Sequence, residues 1–344
     1  MPGELNGMVS LTYDGFAEYG ALTEDGVNVG KRRISRHDLH YKIQFSPLTG
    51  TALYVDLDHT PSLKYSFPDS NEMLIEPVDG GGTYLGGAPA KDVPTVSAGG
   101  LNGVWIGAAV QPFSENYERF DQQSTWRLDI AFRTGNANRN LWTAPNGTRG
   151  SAPGGTALRL AGAVSTEMGV GNPYVSTEWV KENKVTVDLI DEGGITHAKG
   201  VELNPASSIA FRGGIEVVGY EDPSRQTRAA VDFFLGMGYR SWEDIASGVY
   251  LPDVLEGSKQ IAVTSAEQVN VLAGIQVDYH VNDKVRARTG PDFRFHTPIR
   301  PEHVYDAMTT PDHIGVGWMF RIEGVIDVSP KDVASASTEP LTEP

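Results

Sequence analysis

Hydrophobic and polar residues alternate one for one along most of this chain. Residues 36–45, RHDLHYKIQF, show the pattern in full. His37, Leu39, Tyr41, Ile43 and Phe45 fall in one register, and Arg36, Asp38, His40, Lys42 and Gln44 in the other. A period of two places successive side chains on opposite faces of a β-strand. The same alternation recurs with Leu5, Val9, Leu11 and Tyr13 against Glu4, Asn6, Ser10 and Thr12, and with Leu53, Val55 and Leu57 against Tyr54, Asp56 and Asp58. It returns in 101–113, where Trp105 sits on the face opposite Val104, Ile106 and Ala108, and in 124–134, 156–166, 175–179, 209–217, 231–239, 269–281, 285–295 and 314–328. Patterns of helical period are almost absent. The chain is expected to be all-β with about twelve long strands, each near the roughly 9–11 residues that a tilted membrane strand needs. A further pair, 184–190 and 195–203, is expected to form a hairpin extension around Gly193 and Gly194.

The connections add a second pattern. Short ones, SPLTG, EDPSRQ and NDK, are interspersed with long polar ones at 14–35, 60–100, 135–155, 181–207, 241–266 and 297–313. Antiparallel up-and-down strands with short turns at one rim and long loops at the other produce such a sequence. With an even strand number both termini fall at the short-turn rim. Aromatic residues mark the strand ends: Phe45, Phe113, Trp126 and Tyr279 toward the short turns, and Tyr13, Phe132, Trp179, Tyr239 and Phe295 toward the long loops. Two such rows are expected to be interfacial girdles at the two headgroup levels of a bilayer.

Composition narrows the function classes. The chain has 344 residues, 40% hydrophobic and 21% charged, and no apolar run of the length that a membrane-spanning helix needs. No secretory signal precedes Leu5, so either a cytoplasmic chain or a mature one from which a signal has been removed is expected. Cysteine is absent, which excludes disulfides and thiolate metal sites. There are 28 basic and 44 acidic residues, a net charge of −16, which argues against a nucleic-acid partner. The final segment, SPKDVASASTEPLTEP, is rich in Pro, Ser and Thr and is expected to be disordered. The expected organisation is one transmembrane barrel domain over 1–328 and a tail over 329–344.

Alternation, loop asymmetry and strand-end aromatics together resemble bacterial outer-membrane β-barrel proteins over about residues 4–328. The last strand, GVGWMFRIEGVIDV, looks like the alternating aromatic signal that such barrels offer their assembly machinery, although this chain continues for about sixteen residues beyond it. The resemblance implies short periplasmic turns, long extracellular loops, a location in the outer membrane of a Gram-negative bacterium, and contact with outer-membrane lipid, lipopolysaccharide and the barrel assembly machinery. It is architectural and rests on no family fingerprint.

In such a barrel the apolar register meets lipid and the polar register lines the lumen. The lumen-lining residues are then Arg36, Asp38, His40, Lys42, Asp56, Asp58, Arg127, Asp129, Arg133, Arg159, Glu178, Arg212, Glu216, Arg228, Asp232, Arg240, Asp278, His280, Arg286, Arg288, Asp292, Arg294, Arg321 and Glu323. Positive and negative charges nearly balance there. The interleaved charges either pair across the lumen and fill it or leave a narrow polar passage with a basic stripe at Arg286, Arg288 and Arg294. Acidic residues such as Glu18, Glu24, Asp25, Asp69, Glu72 and Glu76 read as a solvated loop surface, because they lack calcium-loop spacing. There is no G-x-S-x-G, H-E-x-x-H or phosphate-binding loop, and DGGGTYLGGAP (79–89) lacks the Lys-Ser/Thr that a phosphate loop needs. His40, His280 and His296 fall in the polar register with no nucleophile beside them. No metal and no cofactor are expected. The leading expectation is a narrow channel or passive transporter for small polar or ionic solutes. Its alternatives are a closed barrel that docks partners through its loops, a barrel hydrolase, and a soluble β-sandwich.

Overall fold

The computed structural model describes residues 6–24, 27–66, 96–111, 114–117, 122–134, 155–168, 170–190, 196–222, 224–241, 244–245, 250–251, 259–260, 268–282, 284–298 and 313–327. Every regular element among them is a strand. Besides a four-residue strand, Ser114–Tyr117, that joins the same sheet, twelve long strands form the barrel: β1 (Asn6–Glu24), β2 (Val27–Ser46), β3 (Thr51–Ser66), β4 (Val96–Val110), β5 (Gln122–Thr134), β6 (Ala157–Glu167), β7 (Gly171–Glu182), β8 (Ser208–Asp222), β9 (Thr227–Arg240), β10 (Gln268–His280), β11 (Val285–Pro298) and β12 (His313–Asp327). Each pairs antiparallel with its sequence neighbours, and β1 pairs with β12 from Asn6↔Asp327 to Gly20↔His313. That last ladder closes the sheet into a barrel. Closure removes both free edges, so each of the twelve barrel strands has a partner on each side.

The barrel is hydrophobic on the outside. Ile43, Leu53, Leu128, Ile215, Leu235, Ile275, Phe293 and Ile314 are all exposed, and they belong to rows that run around the whole circumference. Their strand neighbours at odd offsets are polar and turn inward, including Ser10, Asp38, Gln44, Asp56, Asp232, Gln276, Asp278 and Asp292, which are buried. An apolar belt of this extent is far larger than the few hundred Å² that a monomeric soluble protein tolerates. In lipid it is satisfied, and the buried polar face becomes the interior.

Residues 47–50, 168 and 170, 224–226, and 281–282 and 284, which belong to the short connections, lie at one rim. The expected long loop at 14–35 is a correction. β1 and β2 continue as a paired hairpin to Glu24↔Val27, leaving 25–26 between them. Expected strand lengths are corrected too: β2 has 20 residues and β1 has 19, well beyond a minimal span. Paired β1 and β2 residues therefore extend the wall past the apolar belt. The hairpin expected at 184–203 is present as Val185–Ile190 and Thr196–Asn204, and Asp244–Ile245 joins it from the β9–β10 connection. Most of the other long connections, and the tail, lie outside the described residues.

Candidate functional site: the charged lumen

The inward rows bring charges from distant parts of the chain into two clusters. The first is built on β2 to β7. His40 stands directly opposite Asp58 in the β2–β3 register, and Lys42 opposite Asp56. His40 Nδ1 lies 2.6 Å from Asp58 Oδ1, and Trp105 Nε1 donates to Asp58 Oδ2 at 2.9 Å. Arg159, from β6, reaches the Tyr54 hydroxyl at 3.2 Å and Asp56 at 3.6 Å, with its guanidinium over the Trp105 ring. Tyr54 donates to Asp129, which also accepts from Arg127 at 3.0 Å. The Lys42 ammonium sits 4.0 Å from the centre of the Tyr54 ring. Tyr54 can lie flat against the wall because Gly107 is beneath it; a Cβ there would collide with the ring. Nearer the long-loop rim, Arg36 pairs with Asp38, and Asp38 accepts from Thr60 at 2.5 Å. Arg133 pairs with Glu182 and donates to the Gly155 carbonyl.

The second cluster spans β7 to β12. Asp278, with 1% side-chain exposure, accepts from Arg286 Nε at 2.7 Å and Arg288 Nε at 2.8 Å. Arg286 and Arg288 also face Glu216 at 3.8 and 3.6 Å, and Arg288 faces Asp232 at 3.7 Å. Asp232 accepts from Arg212 at 3.2 Å and from the Tyr174 hydroxyl at 3.0 Å. Arg228 pairs with Glu216, and Arg321 with Glu323. His280 lies 3.5 Å from Asp278. Toward the long-loop rim, Arg294 joins Asp292 at 2.7 Å to Asp14 at 2.9 Å and covers the Phe16 ring, and His296 pairs with Glu18 at 2.9 Å.

Two expectations need correction here. Arg286, Arg288 and Arg294 do not form a bare basic stripe, since each is hydrogen-bonded to a carboxylate. Glu18 is not a solvated loop acid but a buried wall residue, because β1 continues through it. Glu178 projects inward opposite Ala161 and Ala210, near Arg159. Arg240 ends β9 on the same inward row as Asp232. The parity of the alternation alone does not assign Asp14, Phe16, Tyr174, Glu182 or Phe234, whose ring lies 3.7 Å from the Arg212 guanidinium. Their signal was the register, which depends on which strands meet.

Charge is unevenly divided. The second cluster sets five arginines (212, 228, 286, 288, 321) against four carboxylates (216, 232, 278, 323). The first sets Lys42, Arg127 and Arg159 against Asp56, Asp58, Asp129 and Glu178. Arg127 on β5 and Arg321 on β12, nearly opposite in the barrel, are close enough for their charges to repel.

On the outer face, Phe45, Trp126 and Tyr279 stand toward the short turns, and Phe132, Trp179 and Phe295 toward the long loops, all exposed. Tyr239 lies in the outward row of β9. Tyr13 runs over Gly15 to place its hydroxyl 2.7 Å from His37 Nδ1. Phe113 lies outside the described residues.

No protein-family model and no curated protein matches the sequence. Solved structures do match. An outer membrane channel from Pseudomonas putida F1 superposes with a TM-score of 0.57 at 9% identity, over 95% of this chain and 97% of that one. Weaker similarities are to the TodX monoaromatic hydrocarbon channel (TM-score 0.41, 9% identity, 94% of this chain and 91% of that one) and to the translocator domain of the autotransporter NalP from Neisseria meningitidis (TM-score 0.40, 6% identity, 94% and 89%). At these identities the likeness is one of fold. The chain has the closed, twelve-stranded, antiparallel architecture of an outer-membrane β-barrel.

Proposed function

We propose that the barrel lies in the outer membrane of a Gram-negative bacterium and passes small polar or ionic solutes through a narrow, charge-lined lumen. The observation that carries this reading is the exposure of three lumenal arginines near the middle of the wall. Arg127, Arg286 and Arg321 keep 34, 34 and 36% side-chain exposure although each is ion-paired. Their carboxylate partners are buried far more deeply, at 10, 1 and 14%. A lumen filled by its own side chains would bury both partners alike. A twelve-stranded lumen is narrower than that of a porin with sixteen strands, so charges on facing walls act on whatever passes. The aromatic rows then sit at the two headgroup levels, and the belt between them meets acyl chains.

The test is single-channel recording in a planar bilayer. Discrete steps, smaller than those of an open sixteen-stranded porin, are expected. A barrel that shows the heat-dependent gel mobility of a folded outer-membrane protein but no steps contradicts the channel and leaves a closed barrel acting through its loops. Selectivity supplies a second readout. Replacing both Arg127 and Arg321 with Gln removes two opposed positive charges while leaving Asp278 and its partners intact. The reversal potential is expected to move toward cation preference, and an unchanged potential separates these residues from the path.

A further inference from the structure

We propose that His40, Asp56 and Asp58 bind one divalent transition-metal ion, of the zinc class, on the lumen wall. The site is made by the β2–β3 register. His40 is directly opposite Asp58, and Asp56 is two residues along on the same inward face. One ligand atom from each of the three residues lies within 4.8 Å of the other two. Zinc holds imidazole nitrogen and carboxylate oxygen at about 2.0–2.2 Å, so small rotamer adjustments close the triad on an ion. The imidazole sets the metal class, because magnesium and calcium prefer oxygen ligands alone.

The groups around the triad are arranged as an outer shell. Trp105 holds Asp58 Oδ2 and leaves Oδ1 facing His40. Arg159 approaches Asp56 Oδ2, while Oδ1 of the same carboxylate is buried with no hydrogen-bond partner. Asp56 is 9% exposed. A buried carboxylate oxygen without a donor is costly, and a cation is the partner that satisfies it without a proton. The surrounding cluster has one more carboxylate than cations, so it can accept positive charge. His40 retains 39% side-chain exposure, which leaves the ion's remaining coordination position open to the lumen.

The experiment uses the full chain, refolded in detergent without a polyhistidine tag and stripped with a chelator. Zn²⁺ is titrated in competition with a chromogenic chelator, and Co²⁺ is followed by its visible absorption. One ion per barrel is expected. Asp56→Asn and His40→Ala are each expected to weaken binding about 100-fold and abolish the Co²⁺ band. Trp105→Phe, which leaves the three ligands in place, is expected to weaken it about 10-fold. His280→Ala and His296→Ala should bind as the parent does. Folding is read separately from heat-dependent mobility, and the isosteric Asp56→Asn keeps the test valid if His40→Ala fails to fold. A parent barrel that takes up no stoichiometric Zn²⁺, or an Asp56→Asn variant that binds like the parent, overturns the proposal. Neither readout requires the lumen to conduct.

Discussion

Replacing Asp278 with alanine is expected to lower the stability of the folded barrel by about 3 kcal/mol. The carboxylate is almost wholly buried and accepts hydrogen bonds from two arginines on β11. Removing it leaves Arg286 and Arg288 with their guanidinium groups turned toward a wall that no longer accepts from them. Loss of one partner from a buried ion pair costs more than the pair itself contributes, because the remaining charge stays desolvated. Glu216, Asp232 and Glu323 stand 3.6–3.8 Å from these two arginines and take up part of the charge, which keeps the loss from being larger. Asp278→Asn keeps one acceptor oxygen and should lose about half as much. Arg225→Ala is the control: Arg225 is 79% exposed and 3.7 Å from Asp222 on a turn, and its loss should change stability by no more than about 0.5 kcal/mol. Urea-dependent unfolding in lipid vesicles, followed by the heat-modifiable gel shift, measures all three. Equal, small effects at Asp278 and Arg225 would mean that the lumenal pairs do not hold the wall.

The second large effect is expected on the outer face. Leu128 lies in the exposed apolar row of β5, 53% accessible. Arginine there would meet acyl chains, at a cost of about 2–4 kcal/mol near the bilayer midplane. Ala210→Arg puts the same side chain on the inward row of β8, directly opposite Glu178, and should change stability by less than about 1 kcal/mol. If the outside met water, the order would reverse or vanish, since a half-exposed surface leucine normally tolerates charge within about 0.5 kcal/mol. Refolding titrations of the two variants in the same vesicles decide the sign.

Much of this architecture is visible in the sequence because the membrane enforces it. One face of each strand must be apolar and the other must carry polar groups into water, so the alternation is sharp enough to number twelve strands and assign both faces. The alternation weakens where the strands leave the belt. Just past Tyr13 the next two outward residues of β1 are Gly15 and Ala17, before Tyr19, while Phe16 turns inward beneath Arg294. The contrast between faces disappears there, and 14–35 reads as a loop although it is a paired hairpin.

Partners are harder to see than faces. His40 and Asp58 are 18 residues apart, and the 47–50 turn brings them opposite one another, so their shared row is legible even though their contact is not. Arg294 and Asp14 are 280 residues apart and meet because β12 closes on β1 and places β11 two strands from it. No local pattern encodes that meeting. The arginines at 286, 288 and 294 therefore look like a bare stripe in the sequence, and their carboxylates emerge with the register. Aromatic residues in the polar register carry a further lesson. Tyr54, Trp105 and Tyr174 interrupt rows of charges, yet each supplies a hydrogen-bond donor to an aspartate. They belong to the lumen network by their polar ends.

The exposed apolar face meets lipid, and the buried charged face encloses the lumen. Fluorescence quenching of single-tryptophan variants in vesicles containing brominated acyl chains tests it most directly. Trp126 and Trp318 are on the outer face, 49 and 53% exposed, whereas Trp105 is on the inner wall at 4%. Strong quenching of Trp126 and Trp318 by the brominated lipid, with Trp105 unaffected, is the expected result. Equal quenching at all three positions, or Trp126 and Trp318 quenched by aqueous acrylamide but not by the lipid, would contradict the account.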